Sequence, residues 1–96
     1  MTAPHTAEVT AEVIIVNKRG LHARASAKFV GAVAPMQGVA VAVTKDGQEA
    51  AGGSILGLMM LGAAMGETIT ISVSGVDAEL RLAELVELVA TGFGEN

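Results

Sequence analysis

The sequence predicts an α+β fold in which helices cover one face of a four-stranded sheet. Alternating apolar and polar residues in several short stretches are typical of half-buried strands, and longer stretches with apolar residues at helical spacing separate them. The Asp46-Gly47 pair lies between two of the strands and indicates a tight hairpin, which makes that pair of strands antiparallel. The predicted order of elements is β-α-β-β-α-β-α.

The composition fits one small domain and argues against several classes of function. The 96 residues are 51% hydrophobic and 17% charged, so we expect a folded chain with a single core. A net charge of −4 argues against nucleic-acid binding, and the absence of cysteine excludes disulfides and thiolate metal sites. The most apolar segment, residues 55–65, is too short to span a bilayer, and we expect a cytoplasmic protein without membrane insertion.

The strands and helices follow from these patterns and from their end signals. In the first strand, Glu8 to Val16, four alternate residues face the core: Val9, Ala11, Val13 and Ile15. Alternation and the hairpin predict the remaining strands at 39–44, 48–51 and 67–74. The first helix spans 23–34 and is stopped by Pro35, and Ser54 begins a short second helix as its N-cap. The third helix begins at Asp77 and ends at Thr91-Gly92.

The predicted domain organisation is simple. Residues 1–7 form a flexible N-terminal tail because they show no periodicity, and His5 within it is interpreted as a solvated side chain. Residues 8–92 form the domain, and residues 93–96 form a C-terminal tail.

His22 is the histidine with a chemical context, within Gly20-Leu21-His22-Ala23-Arg24 at the start of the first helix. A helix N-terminus supplies unpaired N–H groups and partial positive charge, which favour a phosphate or another anion. A neutral imidazole is a competent nucleophile near pH 7, and the guanidinium of Arg24 can cover a transferred charge. By spacing alone, a histidine that only caps the helix beside a solvated arginine is the commoner explanation. No paired-carboxylate, Ser/His/Asp or metal pattern occurs, and no cofactor is expected.

Ser54 also has two interpretations. As an N-cap its hydroxyl accepts a bond from an orphan N–H group, which is by itself the commoner role. A phosphate on Ser54 would be tolerated by the helix dipole, so phosphorylation need not unfold the domain. The helix that follows is too short to bury every side of itself, so part of its apolar surface should be exposed and available for docking.

Taken together, Gly20 to Arg24 and Gly53-Ser54-Ile55-Leu56-Gly57-Leu58 resemble the active-site and regulatory-site signatures of HPr, the histidine-containing phosphocarrier family of the bacterial phosphotransferase system. The similarity runs roughly from Val9 to Val89. The family fold is an open-faced β-sandwich of four antiparallel strands with three helices on one side, which agrees with the order of elements derived from the residues.

The resemblance implies a phosphorelay. His22 would accept a phosphoryl group on Nδ1 from enzyme I, charged by phosphoenolpyruvate, and pass it to a histidine of an enzyme IIA domain. Arg24 matches the active-site arginine, and Ser54 matches the serine that an HPr kinase/phosphorylase modifies. Four apolar residues are expected to form the docking surface for partners: Leu21, Ile55, Leu56 and Met59. The protein would then be a monomeric, stoichiometric carrier rather than an autonomous enzyme.

One position departs from the family pattern, His-x-Arg-Pro, because Ala25 replaces the proline. Alanine leaves one additional N–H group in the first turn but retains helix propensity, so we expect the site to form. The version Lys-Arg-Gly-Leu-His-Ala-Arg-Ala-Ser is similar to the HPr of bacteria with a nitrogen-related regulatory branch, which leaves the pathway open.

Two other functions are considered. A regulatory binding module of the same fold would act through the Ser54 helix without using His22 chemically. A structural small-ligand binder requires a closed apolar pocket, for which 96 residues with twelve glycines leave little room.

Overall fold

The structure, a computed structural model, describes residues 8–95, so the expected N-terminal tail and His5 lie outside the described residues. The order β-α-β-β-α-β-α is confirmed, and a 3₁₀ turn follows the last helix. The elements are β1 (Glu8–Ile14), α1 (Ala23–Val33), β2 (Val39–Lys45), β3 (Gln48–Ala51), α2 (Ile55–Met60), β4 (Thr68–Gly75), α3 (Ala78–Ala90) and the turn Gly92–Gly94.

The four strands form one antiparallel sheet in the order β1-β4-β2-β3, so that β4 lies between β1 and β2. Hairpin β2–β3 closes through Asp46 and Gly47, which have φ values of 51° and 83°. Positive φ at both central residues is the requirement of a type I′ turn, whose twist matches that of the flanking strands. The hairpin prediction is therefore confirmed, with Lys45 paired to Gln48.

The core lies between one face of the sheet and the helices. Alternate residues of β4 (Ile69, Ile71 and Val73) are buried, and the residues between them are exposed or half-buried. One face of the sheet is therefore apolar and covered by the three helices, and the other is open to solvent, as in an open-faced sandwich. The helices contribute four fully buried apolar side chains to the core: Phe29, Leu58, Leu85 and Val89. Among the described residues, no helix has both the length and the hydropathy to span a membrane.

The C-terminal segment differs from the expected tail beginning at residue 93. Phe93 is only 2% exposed and belongs to the core, and its carbonyl accepts a hydrogen bond of 2.8 Å from Nζ of Lys28. The turn that carries it ends with the N–H of Glu95 donating to the carbonyl of Gly92 at 2.9 Å. Burial of the Phe93 ring, one of only two aromatic rings in the sequence, stabilises the packed conformation of a segment whose polar, glycine-rich composition favours an open tail. The packed domain therefore extends through Glu95.

Candidate functional site

The loop that presents His22 is held by close backbone contact with the segment after α2. Gly20 has a φ of 65°, and a Cβ atom at this position would collide with the carbonyl oxygen of Ala63. The N–H of Leu21 donates to the same carbonyl at 2.9 Å. Glycine is therefore required both by the left-handed conformation and by the space. The chain then enters α1 with His22 at the N-cap position.

The two ring nitrogens of His22 have different partners. The backbone N–H of Arg24 donates to Nδ1 at 3.2 Å, whereas Nε2 lies 3.1 Å and 3.2 Å from the two carboxylate oxygens of Glu95. A carboxylate accepts, so Nε2 carries the proton and Nδ1 carries the lone pair. This tautomer is assigned from the hydrogen bonds. The unprotonated nitrogen therefore lies at the N-terminus of α1.

The side chain of Arg24 is 62% exposed, and its Nε lies 3.5 Å from Oε2 of Glu95. Most of the guanidinium is thus available to a ligand in solution. Arg24 belongs to a local concentration of positive charge, because four of the six lysines and arginines lie between residues 18 and 28. A shallow groove beside His22 is lined by three of these, Lys18, Arg19 and Arg24, together with Glu95. The region is basic in a chain of net charge −4.

Glu95 is the residue of this site that sequence reasoning misses. Its carboxylate is 15% exposed, and Nδ2 of the buried Asn17 donates to Oε1 at 3.2 Å and to the carbonyl of Gly20 at 2.9 Å. The hydrogen bond from His22 is the main cause that holds the pKa of Glu95 below its usual value, and Asn17 and Arg24 act in the same direction against desolvation. The carboxylate is therefore ionised at neutral pH. A separation of 73 residues from His22 leaves no spacing signal by which it could have been found.

Ser54 occupies the N-cap of α2, as the sequence predicts, and its Oγ accepts a bond of 2.9 Å from the N–H of Gly57. Four large apolar side chains of the same helix are exposed, and we call them the α2 patch: Ile55, Leu56, Met59 and Met60. Leu56 is 67% exposed, whereas Leu58 on the opposite side is fully buried. Helix α2 packs against α1, the helix that begins at His22.

A family model and a sequence relative show which family this chain belongs to. The family model described as "PTS HPr component phosphorylation site" matches residues 9–91. The phosphocarrier protein HPr of Cupriavidus necator is 38% identical over 85 residues, which cover 88% of this chain and 94% of that protein. The chain belongs to the HPr family of phosphocarriers of the phosphotransferase system.

A solved HPr structure confirms the fold, and a second relative bears on the regulatory branch. The crystal structure of HPr-C-His from Thermoanaerobacter tengcongensis has a TM-score of 0.82 at 38% identity and covers 94% of this chain and 98% of that one. The phosphocarrier protein NPr of Shewanella violacea is also 38% identical, covering 88% of this chain and 91% of that protein. Relatives named HPr and relatives named NPr thus both match this chain over most of its length.

The structure changes one detail of the HPr resemblance, the exposure of Leu21, and bears out another, the formation of α1 without the family proline. Leu21, expected in the docking surface, is only 5% exposed, because its side chain packs in the core next to the loop that positions His22. Ala25, which replaces the family proline, is fully buried in the first turn of α1. The first bond of the helical ladder runs from the N–H of Ser26 to the carbonyl of His22, so the N–H of Ala25 precedes the ladder, and the helix forms without proline.

Proposed function

We propose that this protein carries a phosphoryl group on Nδ1 of His22. It receives the group from enzyme I, which is charged by phosphoenolpyruvate, and delivers it to a histidine of an enzyme IIA domain. One observation supports this role above the others: the unprotonated ring nitrogen is the one that lies at the N-terminus of α1, where it accepts the N–H of Arg24. Membership of the HPr family supports the same assignment.

In this proposal the chemistry requires little beyond positioning and charge. When the lone pair of Nδ1 bonds to phosphorus, the N–H of Arg24 loses its acceptor on the ring and can donate to a phosphoryl oxygen instead. The partial positive charge of the helix N-terminus acts on the same oxygens. The exposed guanidinium of Arg24 can form the forked, charge-assisted bonds that a phosphoryl group accepts. Phosphoryl transfer depends mainly on such electrostatic stabilisation.

Docking of both partners is assigned to the α2 patch, of which the sequence predicts Ile55, Leu56 and Met59. Their exposure on a short helix that packs against α1 supports this assignment. The groove beside His22 is lined mainly by basic residues, which favours partners whose docking surfaces are acidic, because opposite charges accelerate association. We further propose that the carrier is monomeric, works in the cytoplasm and binds no nucleic acid.

Ser54 is proposed as a regulatory phosphorylation site for an HPr kinase/phosphorylase. Its Oγ already accepts the N–H of Gly57, and phosphate oxygens at the same place can accept it as well. The fold is then retained, whereas two negative charges beside the α2 patch oppose docking through desolvation and repulsion.

The experiment that tests the carrier role is incubation with enzyme I and radiolabelled phosphoenolpyruvate. We expect acid-labile, base-stable label on the wild type and none on His22→Ala. His22→Asn is the matched variant, because asparagine retains an N-cap acceptor while removing the nucleophile. Absence of label on the wild type, or label that survives in folded His22→Asn, would favour the regulatory binding module over the carrier.

A further inference from the structure

Glu95, the last residue that the structure describes, contacts the ring of His22 that the proposed function uses. Both carboxylate oxygens of Glu95 lie within hydrogen-bonding distance of Nε2 of His22, at 3.1 Å and 3.2 Å. Asn17 donates to one of these oxygens and Arg24 lies beside the other. The carboxylate is thus oriented by three groups from the loop before α1 and its first turn.

The backbone around Glu95 is fixed as well. The ring of Phe93 is buried, the carbonyl of Phe93 accepts from Lys28, and the N–H of Glu95 donates to Gly92. A side chain carried by such a turn loses less conformational freedom in forming a contact than one on a free terminus. The pairing with His22 therefore has a structural basis beyond the attraction of two exposed groups.

We propose that Glu95 is a positioning residue for phosphoryl transfer, which holds His22 in the Nε2–H tautomer and stabilises the positive charge that the ring acquires on phosphorylation. This inference rests on the proposed role of His22 as the phosphoryl acceptor.

The charge follows from the bonds that change. The bond that forms joins Nδ1 to phosphorus, and the bond that breaks joins phosphorus to the donor nitrogen of enzyme I, which keeps the electron pair. Nε2 of His22 retains its proton, so the ring gains one positive charge while the phosphoryl group brings its own negative charge. A carboxylate that accepts from the other ring nitrogen stabilises the cationic ring, as the aspartate does for the imidazolium in serine-protease triads.

Among the charged side chains that line the groove beside His22, Glu95 is the one that can stabilise a positive ring. Lys18, Arg19 and Arg24 line the groove, and Lys28 lies one turn further along α1, where its Nζ donates to the carbonyl of Phe93. All four are cations, which favour the phosphoryl oxygens but disfavour a positive ring. Glu95 is the carboxylate that lines this groove with them, and it contacts the ring directly. After transfer, Arg24 can exchange Glu95 for the phosphoryl group, since the phosphoryl oxygens carry more charge.

The test compares Glu95→Gln, which keeps the shape and an acceptor oxygen but removes the charge, with Glu95→Ala, which removes both. Glu84→Gln is the matched control, because Glu84 pairs with Arg81 on the exposed face of α3. Two quantities are measured on the full chain: the rate of labelling by enzyme I, and the pH midpoint at which the phosphorus NMR resonance of the phosphorylated protein titrates.

We expect Glu95→Gln to slow labelling about two- to fivefold, the range of a partly exposed charge pair. The proton-binding equilibrium of the phosphorylated ring should weaken by the same factor, because the cationic ring loses its counter-charge. The midpoint of the titration should therefore fall by about half a pH unit. A merely structural role would leave that midpoint unchanged. Wild-type rate and midpoint in both Glu95 variants, or equal changes in Glu84→Gln, overturn the inference. Absence of label on the wild type overturns the proposed function itself.

Discussion

Gly20 lies against the carbonyl group of Ala63 so closely that no side chain fits between them. Two segments distant in sequence are thereby in backbone contact: the loop that presents His22 and the loop that follows α2. The position of the candidate phosphoryl acceptor thus depends on a glycine that takes no part in the chemistry.

Gly20→Ala should therefore destabilise the protein and disturb the site. The left-handed φ of 65° costs about 1–2 kcal/mol for alanine, and the collision with the carbonyl of Ala63 adds to this cost. Gly31→Ala is the control, since Gly31 lies inside α1 with nothing near its Cβ position, and it should gain about 0.5–1 kcal/mol. Urea denaturation measures both variants. Equal stability of the two would contradict the contact.

Arg24→Ala should slow phosphoryl transfer far more than it lowers stability. The side chain is 62% exposed, so its removal leaves the fold intact, whereas a lost charge-assisted hydrogen bond to the phosphoryl group corresponds to about 10- to 100-fold in rate. The transfer rate of Arg24→Lys should lie between those of the wild type and Arg24→Ala, because lysine keeps the positive charge but lacks the forked guanidinium. Labelling rates and melting temperatures check this expectation. Wild-type rates in a folded Arg24→Ala would remove the guanidinium from the mechanism.

Substitutions at Ser54 should separate the capping role from the effect of charge. Ser54→Ala leaves the N–H of Gly57 without its acceptor and should cost about 1 kcal/mol. Ser54→Asp retains a good N-cap but adds a negative charge beside the α2 patch, so stability should be kept while the KM of enzyme I for this carrier rises. Thermal unfolding and steady-state kinetics distinguish the two outcomes. An unchanged KM in Ser54→Asp would argue against regulation at this position.

The folded state should lose stability in acid partly through Glu67. The N–H of Ala64 donates to its carboxylate at 2.8 Å, and this bond, followed by the one from Lys45, lowers the pKa of Glu67 from its usual value of 4.5. A lowered pKa in the folded state means that the contribution is complete above pH 4.5 and is lost as the pH falls through the folded value. Melting temperatures between pH 7 and pH 3 should therefore fall less steeply in Glu67→Gln than in the wild type. Parallel curves would contradict this assignment.

Local patterns predicted most of the fold because most of its signals are local. The Asp46-Gly47 turn, the alternation in β4 and the cap at Ser54 each depend on residues a few positions apart, and the structure has them where they are expected. The capping position of His22 is local too, since its partner is the N–H of Arg24.

The remainder of the site depends on contacts between distant parts of the chain. Burial of Leu21 follows from the approach of the Ala63 carbonyl, and the place of Glu95 follows from the burial of Phe93 after α3. Neither Leu21, within the motif that contains His22, nor the polar C-terminal segment shows a periodicity that would reveal its contact. Sequence reasoning therefore located His22 but not the carboxylate of Glu95 that its ring contacts.

The order of strands in the sheet also decides when the site can form. Within residues 8–95, strand β1 pairs only with β4, the last of the four strands in sequence, so that Val13 stands opposite Ile69. Closing so long a loop before any pairing is gained slows folding relative to helical bundles. Asn17, Gly20 and His22 follow β1 directly, and their partners Ala63 and Glu95 come after α2 and α3. The assembled site consequently requires the segments after α2 and α3, and a nascent chain that lacks them has the histidine but not its partners.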